Sequence, residues 1–212
     1  RHCDFKLKIG ANPLDQDVRH VAAIKEALGD RASVRVDVNQ AWDESTAVRG
    51  IQALQDAGIE LIEQPIAARE HAGLVRLANR FNVPMLADEA VQDARDGLDL
   101  VCGGFSGAFA LKIAKSGGIY GVLELAHVAQ AAGIGLYGGT LLEGTIGTAA
   151  SLHAWATLPA MAWGTEMFGP LLLQDDIVVS PLNYTEFGVE LPQGAGLGIT
   201  LDEDKLAHYS RK

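Results

Sequence analysis

The chain has 212 residues, 48% of them hydrophobic, and a formal net charge of −10 from 27 acidic side chains against 17 lysines and arginines. This length is sufficient for one sizeable core, whereas no apolar run approaches the ~18 residues of a membrane span and no segment resembles a signal peptide. The negative charge argues against nucleic acid and anionic membranes as partners. The only two cysteines, Cys3 and Cys102, favour a reduced, cytoplasmic protein over a disulfide scaffold.

Short apolar strands alternate with amphipathic helices along most of the chain. In the first predicted strand, residues 5–10, apolar side chains alternate with Lys6 and Lys8 at the two-residue period of a strand. Further strands are predicted at 33–39, 59–64, 84–88, 108–114, 133–137 and 162–168, and helices at 16–28, 44–57 (capped by Asp43), 72–81, 93–100, 118–132 and 145–158. The remainder, 169–212, is rich in glycine and proline, with short β-like pieces at 177–179 and 189–191.

This alternation predicts an α/β fold with a parallel sheet, because right-handed crossovers place a helix between parallel neighbours. Seven predicted strands within 1–170 favour a (β/α) barrel, which needs eight, so one strand would lie before Arg1 or come from another segment. An open doubly wound sheet is the alternative, although no glycine-rich phosphate turn follows the first strand. Residues 171–212 do not follow the repeat, and we expect this C-terminal segment to pack on a second domain.

Charged residues recur at the ends of successive strands. They are Lys8, Asp37, Glu63, Asp88 and Lys112, at intervals of 29, 26, 25 and 24 residues. Each interval is one strand-plus-helix unit, so we expect the five side chains at equivalent heights near the carboxyl ends of neighbouring strands, where barrel enzymes keep their chemistry. One such acid alone is usually a solvated surface residue. Five in register predict a functional site.

The three acids of this series, Asp37, Glu63 and Asp88, are predicted metal ligands. Converging carboxylates repel one another and raise each other's pKa, and a divalent cation removes that repulsion. Oxygen ligands select a hard ion, Mg²⁺ or Mn²⁺. The six histidines are scattered, mostly on predicted helices, so zinc is not expected.

Lysines flank the three acids, with Lys6 and Lys8 on one side and Lys112 on the other. This arrangement suits proton transfer at a carbon next to a carboxylate, because a metal neutralises the developing charge while a lysine moves the proton. Glu166 is expected to contact Lys112 or the substrate, and Phe168 to line the pocket or to pack in the core. A Schiff-base aldolase with a nucleophilic lysine and a non-catalytic barrel fragment are the alternatives.

The chain resembles the enolase superfamily and, within it, the muconate-lactonising group. The stretches that carry the resemblance are FKLKIG at 5–10, DVNQ at 37–40, LIEQP at 61–65, LADE at 86–89, KIAKSGG at 112–118 and WGTE at 163–166. It implies a modified (β/α)₇β barrel with strands two to eight in residues 1–170. The first barrel strand and an N-terminal α+β capping domain would lie upstream of Arg1, with 171–212 packing back on that domain.

The resemblance also implies roles for single residues. These are metal binding by Asp37, Glu63 and Asp88, acid/base chemistry by Lys8 with Lys6 beside it, a lysine on the opposite face (Lys112) and the carboxylate of the eighth strand (Glu166). Asn39 and Phe168 are the predicted substrate-binding residues. The implied activity is metal-dependent lactonisation of cis,cis-muconate or chloromuconate, both dicarboxylates, by a homo-oligomer. The chain as a whole resembles the chloromuconate enzymes more. Another acid/base enzyme of the superfamily, such as an epimerase or o-succinylbenzoate synthase, is the alternative.

Overall fold

A computed structural model describes residues 3–186 and 188–210, so the outermost residues of both predicted domains lie outside the described part. The chain divides into two compact units, the first comprising Arg1–Ala110 with His127–Gly135 and the second Leu111–Ala126 with Leu136–Lys212. Among the described residues, no helix has both the length and the hydropathy needed to cross a bilayer.

Strands and helices alternate as the sequence predicts. The strands are β1 (Asp4–Lys8), β2 (Ser33–Asp37), β3 (Leu61–Glu63), β4 (Met85–Ala87), β5 (Ala108–Leu111) and β6 (Gly135–Gly138). The α-helices are α1 (Leu14–Leu28), α2 (Glu44–Asp56), α3 (His71–Arg80), α4 (Ala94–Cys102), α5 (Ile119–Ala131), α6 (Thr145–Trp155) and α7 (Glu203–Tyr209), with short 3₁₀ helices at Gly29–Arg31 and Gly169–Leu172.

The first unit is built on a parallel sheet whose strands β1 to β5 follow one another in chain order. The predicted α/β class and parallel pairing are therefore confirmed. Val34 and Val36 of β2 are fully buried, as are Met85 of β4 and Phe109 of β5, which the register places on the same face. This apolar face explains the alternation read from the sequence, because successive side chains of a strand point to opposite faces.

Aspartates begin several helices. The Asp43 side chain accepts a hydrogen bond from Thr46 N at 2.7 Å at the start of α2, as predicted. Asp93 accepts from Arg95 N and Asp96 N at the start of α4. These caps satisfy amide groups that the first turn of a helix leaves without partners.

In the second unit, the predicted strand at 162–168 is wrong as a regular strand. It forms a single parallel bridge between Gly138 and Thr165, because Gly164 has a φ of +73° that interrupts the extended backbone. The predicted pieces at 177–179 and 189–191 are likewise single antiparallel bridges. Helix α7, which the sequence did not predict, is capped by Asp202, whose side chain accepts from Lys205 N.

Replacing Phe109 by alanine should lower the free energy of unfolding by about 3–5 kcal/mol, because it removes a fully buried ring. The ring stacks on Phe105 with centroids 5.7 Å apart. Urea unfolding measures the loss. Tyr120→Ala is the control, since Tyr120 is 78% exposed and such a change should cost less than about 0.5 kcal/mol. Equal losses for the two variants would contradict the packing described here.

Candidate active site

The carboxyl ends of β1, β2 and β3 bring three charged residues to one level. Lys8 pairs with Asp37, and Asp37 with Glu63, across adjacent strands. Asp88 departs from the equal height predicted for it, because Glu63 pairs with Leu86 and Asp88 lies two residues further along. Strands of a barrel tilt and stagger in this way. An offset of two residues keeps the side chain on the same face of the sheet.

Two lysines make ion pairs with two buried acids at these strand ends. The Lys8 Nζ donates to Asp37 Oδ2 at 2.5 Å and to Asn39 Oδ1 at 2.8 Å, and the Lys6 Nζ donates to Glu63 Oε2 at 2.6 Å. Both acidic side chains are 1% exposed, whereas the Lys8 side chain is 63% exposed. Buried charges persist only when they are paired, so these lysines and acids form one electrostatic group.

The third acid, Asp88, acts electrostatically on the Glu63 carboxyl group. Burial raises the pKa of Glu63 to about 8, the Lys6 ammonium opposes this rise, and the charges of Asp37 and Asp88 add to it. Asp88 is itself buried. The rise in carboxyl pKa expected from the sequence is therefore present at Glu63. It means that the charges of Asp37 and Asp88 both act on the Glu63 carboxyl group.

The chemistry of these acids fits a hard divalent cation. The second carboxylate oxygen of Glu63, Oε1, is buried and has no hydrogen-bond partner, a costly condition that a cation would relieve. Oxygen donors suit Mg²⁺ or Mn²⁺. Within the described residues, no three acidic, histidine or cysteine side chains already surround one point.

Asn39 connects the Lys8–Asp37 ion pair to Glu89 through hydrogen bonds. Its backbone N donates to Asp37 Oδ1 at 2.9 Å, and its side-chain Nδ2 donates to Glu89 Oε1 at 3.2 Å. The substrate-binding role predicted for Asn39 stays a prediction. Glu89 was not singled out in the sequence, although it follows Asp88 in one of the matching motifs, and its Oε2 is buried without a hydrogen-bond partner.

Two further buried polar residues of the site were missed by sequence reasoning. Asp17 of α1 accepts hydrogen bonds from Gly10 N at 2.7 Å and from Asn12 Nδ2 at 3.0 Å, and so fixes the loop that follows Lys8. Gln64 lies directly after Glu63 and is fully buried. Gln64 belongs to the LIEQP motif, but neither residue follows the strand-end interval, which is why both were missed.

The remaining predicted residues lie in the second unit. Lys112 is buried directly after β5, and its chain packs on Gly139, where a Cβ would lie 2.7 Å from Lys112 Cε. The Glu166 N donates to Gly138 O at 2.8 Å. Phe168 is 41% exposed, so its alternative role as a core residue is wrong. That Lys112, Glu166 and Phe168 work together with the three acids stays a prediction.

Comparison with known proteins identifies the family and the barrel. Residues 2–205 match the family model described as "Enolase C-terminal domain-like". Muconate lactonizing enzyme from Klebsiella pneumoniae is 63% identical in sequence, with a TM-score of 0.96 over 99% of this chain and 59% of that one. The predicted enolase-type (β/α) barrel is thus confirmed, and the open doubly wound sheet is excluded.

Curated relatives carry two related names. Muconate cycloisomerase 1 from Pseudomonas putida is 57% identical over 212 residues, which are 100% of this chain and 56% of that protein. Chloromuconate cycloisomerase from Delftia acidovorans is 46% identical over 211 residues, covering 100% of this chain and 57% of that protein. The predicted greater likeness to the chloromuconate enzymes is therefore wrong.

The chain spans little more than half the length of these relatives. What it does span includes every strand-end lysine and acid described above, and the family model covers all of them. The chain therefore belongs to the enolase C-terminal domain-like family.

Proposed function

We propose that the protein containing this chain is a metal-dependent cycloisomerase that closes a lactone from cis,cis-muconate or a chlorinated muconate. One observation carries the proposal: two lysines are paired with two buried acids at the carboxyl ends of neighbouring parallel strands. The names of the relatives supply the substrate class.

The three acids, Asp37, Glu63 and Asp88, would hold a Mg²⁺ or Mn²⁺ ion. When bound, the cation supplies neutralisation of the negative charge that develops on a substrate carboxylate. Glu63 contributes an oxygen that no protein donor occupies. Lys6, in contact with the other oxygen of Glu63, keeps that carboxyl group in place.

Lys8 is the proton donor of the proposed reaction. One substrate carboxylate oxygen forms a bond to a carbon of the conjugated diene, and the displaced electron pair moves to the carbon next to the other carboxylate. That carbon takes its proton from the Lys8 ammonium, so a C–O and a C–H bond form while one carbon–carbon π bond is lost. Hydrogen bonds to Asp37 and Asn39 hold the ammonium for this transfer.

Lys112, Glu166 and Phe168 complete the proposal as further residues that act on the substrate. Support comes from the motifs KIAKSGG and WGTE and from the burial of the Lys112 side chain.

We also propose that residues 171–212 pack on a capping domain and that the protein forms a homo-oligomer, because a run of leucines, Leu171, Leu172 and Leu173, is exposed. Two exposed free thiols, Cys3 and Cys102, favour a cytoplasmic location.

Removal of divalent metal should abolish lactonisation, and Mn²⁺ should restore it. The measurement is the loss of the conjugated-diene absorbance of cis,cis-muconate, before and after treatment with EDTA and then with excess Mn²⁺. Ca²⁺ added in place of Mn²⁺ is the control, since its longer bonds and higher coordination number suit an octahedral site poorly. Full activity in the presence of EDTA would contradict the proposal.

A Schiff-base aldolase on the same barrel predicts a different result. Borohydride reduction in the presence of substrate would trap a covalent adduct on lysine in that case. The lactonising reaction predicts no such adduct, because Lys8 transfers a proton and forms no bond to carbon. The candidate nucleophiles of the aldolase are Lys8 and Lys112, and mass spectrometry of the peptides that contain them separates the two reactions.

A further inference from the structure

Gln64 is the residue after Glu63. Both the oxygen and the nitrogen of its side-chain amide form hydrogen bonds to main-chain groups near the ends of neighbouring strands. Its side chain is 0% exposed. The Oε1 accepts from Asp88 N at 2.9 Å and from Ala90 N at 3.1 Å, and the Nε2 donates to Ile66 O at 2.9 Å. Because both ends of the amide are engaged, its orientation is determined.

The main chain of Gln64 makes a second set of contacts. Its N donates to Leu86 O at 2.9 Å, and its carbonyl accepts from Gln40 N at 2.8 Å. This one residue therefore bonds to β4, to the turn after β4 and to the loop after β2. Those segments carry Asp88 and directly follow Asp37.

The backbone at this place is held in an uncommon conformation. The described non-glycine residues with positive φ are Asn39, Gln40, Gln64 and Leu142. Three of the four lie within three residues of Asp37 or Glu63. Backbone of this kind persists only where surrounding contacts over-determine it, and it concentrates at functional sites. The Gln64 contacts provide that over-determination.

A neutral amide is the group that this position requires. Three neighbouring carboxylates repel one another, and the Gln64 amide ties the strand end that carries Glu63 to the turn that carries Asp88. A carboxylate at position 64 would add a fourth negative charge and could not donate to Ile66 O. An amide both accepts and donates, and it adds no charge.

We propose that Gln64 is a positioning residue that sets the spacing of Glu63 and Asp88 and thereby the affinity of the site for a divalent cation. This inference rests on the proposed function, because it takes the three acids as the ligands. Gln64 itself does not touch the ion or the substrate.

A matched residue separates positioning from plain stabilisation. Gln55 of α2 accepts hydrogen bonds from Asn82 N at 2.8 Å and Val83 N at 3.0 Å through its Oε1. These amides directly precede β4, whereas the amides held by Gln64 follow it. Gln55→Met and Gln64→Met thus each remove an amide oxygen that accepts from two backbone N–H groups, at opposite ends of one strand.

The test is calorimetric titration of the metal-free protein with Mn²⁺, together with urea unfolding of the same samples. Gln64→Met should weaken Mn²⁺ binding by at least about 10-fold, the lower bound for loss of an outer-shell partner, while Gln55→Met stays within twofold of the parent. The metal concentration that gives half-maximal activity should rise in parallel, with a smaller change in kcat at saturating Mn²⁺. Gln64→Asn, whose shorter amide cannot hold both Asp88 N and Ala90 N, should also weaken binding and serves if the methionine variant does not fold.

Two results would overturn the inference. Gln64 variants that fold and bind Mn²⁺ as tightly as the parent would refute it while leaving the proposed function intact. Equal weakening by Gln55→Met and Gln64→Met would reduce Gln64 to general stabilisation. A parent protein that binds no Mn²⁺ would instead remove the proposed function, and the inference with it.

Discussion

Replacing Lys8 by alanine should lower kcat for lactonisation by about 10²- to 10⁴-fold, the range for loss of a general acid or base, while Mn²⁺ binding persists. The reason is that Lys8 is the exposed ammonium of the group, held by Asp37 and Asn39, and is therefore open to substrate. Steady-state kinetics and Mn²⁺ titration of the same preparation measure the two effects.

Two controls define what the Lys8 variant means. Lys8→Arg keeps a positive charge beside Asp37, but a guanidinium does not give up its proton in proteins, so it should also be slow if proton transfer is the role. Lys25→Ala removes a lysine of α1 that pairs with Glu60, just before β3, and it should leave kcat unchanged. Substantial turnover by both Lys8 variants would refute the assignment.

Replacing Glu63 by glutamine should weaken Mn²⁺ binding by more than the 10- to 100-fold that loss of an outer-shell partner typically costs. The Glu63 side chain is 1% exposed, and burial and both neighbouring acids raise its pKa. Glutamine keeps its size but removes its charge. Calorimetric titration of the metal-free protein with Mn²⁺ measures the change in affinity.

Glu60→Gln is the matched control for this variant. Glu60 immediately precedes β3 and is exposed, so the same loss of charge at the amino end of the same strand should leave Mn²⁺ affinity within about twofold. Comparable weakening by both changes would mean that net charge, rather than ligation by Glu63, governs cation binding.

The positions of the charged strand ends could be predicted because two periodicities agree. The two-residue alternation of β1 places Lys6 and Lys8 on one face, and the 29- and 26-residue intervals place Asp37 and Glu63 at the same strand level, as the register shows. Asp88 could not be placed in this way, because intervals include loops whose length does not determine the stagger between strands.

The ion-pair partners of the site's side chains could not be predicted from the sequence. The pairing of Lys6 with Glu63, and of Lys8 with Asp37, depends on side-chain direction across adjacent strands. Gln64 was overlooked because an amide that bonds to main chain leaves no charge pattern. Helix α7 was missed because it is only seven residues long, although Asp202 followed by Glu203 and Asp204 is the composition of a helix start.

The parallel register of β2 and β3 also makes the site sensitive to slippage of either strand. Asp37 lies opposite Glu63, and successive side chains of a strand point to opposite faces of the sheet. A shift of either strand by one residue would turn its acid to the other face. A single-residue insertion or deletion within these strands should therefore abolish the cation site even where the sheet still forms.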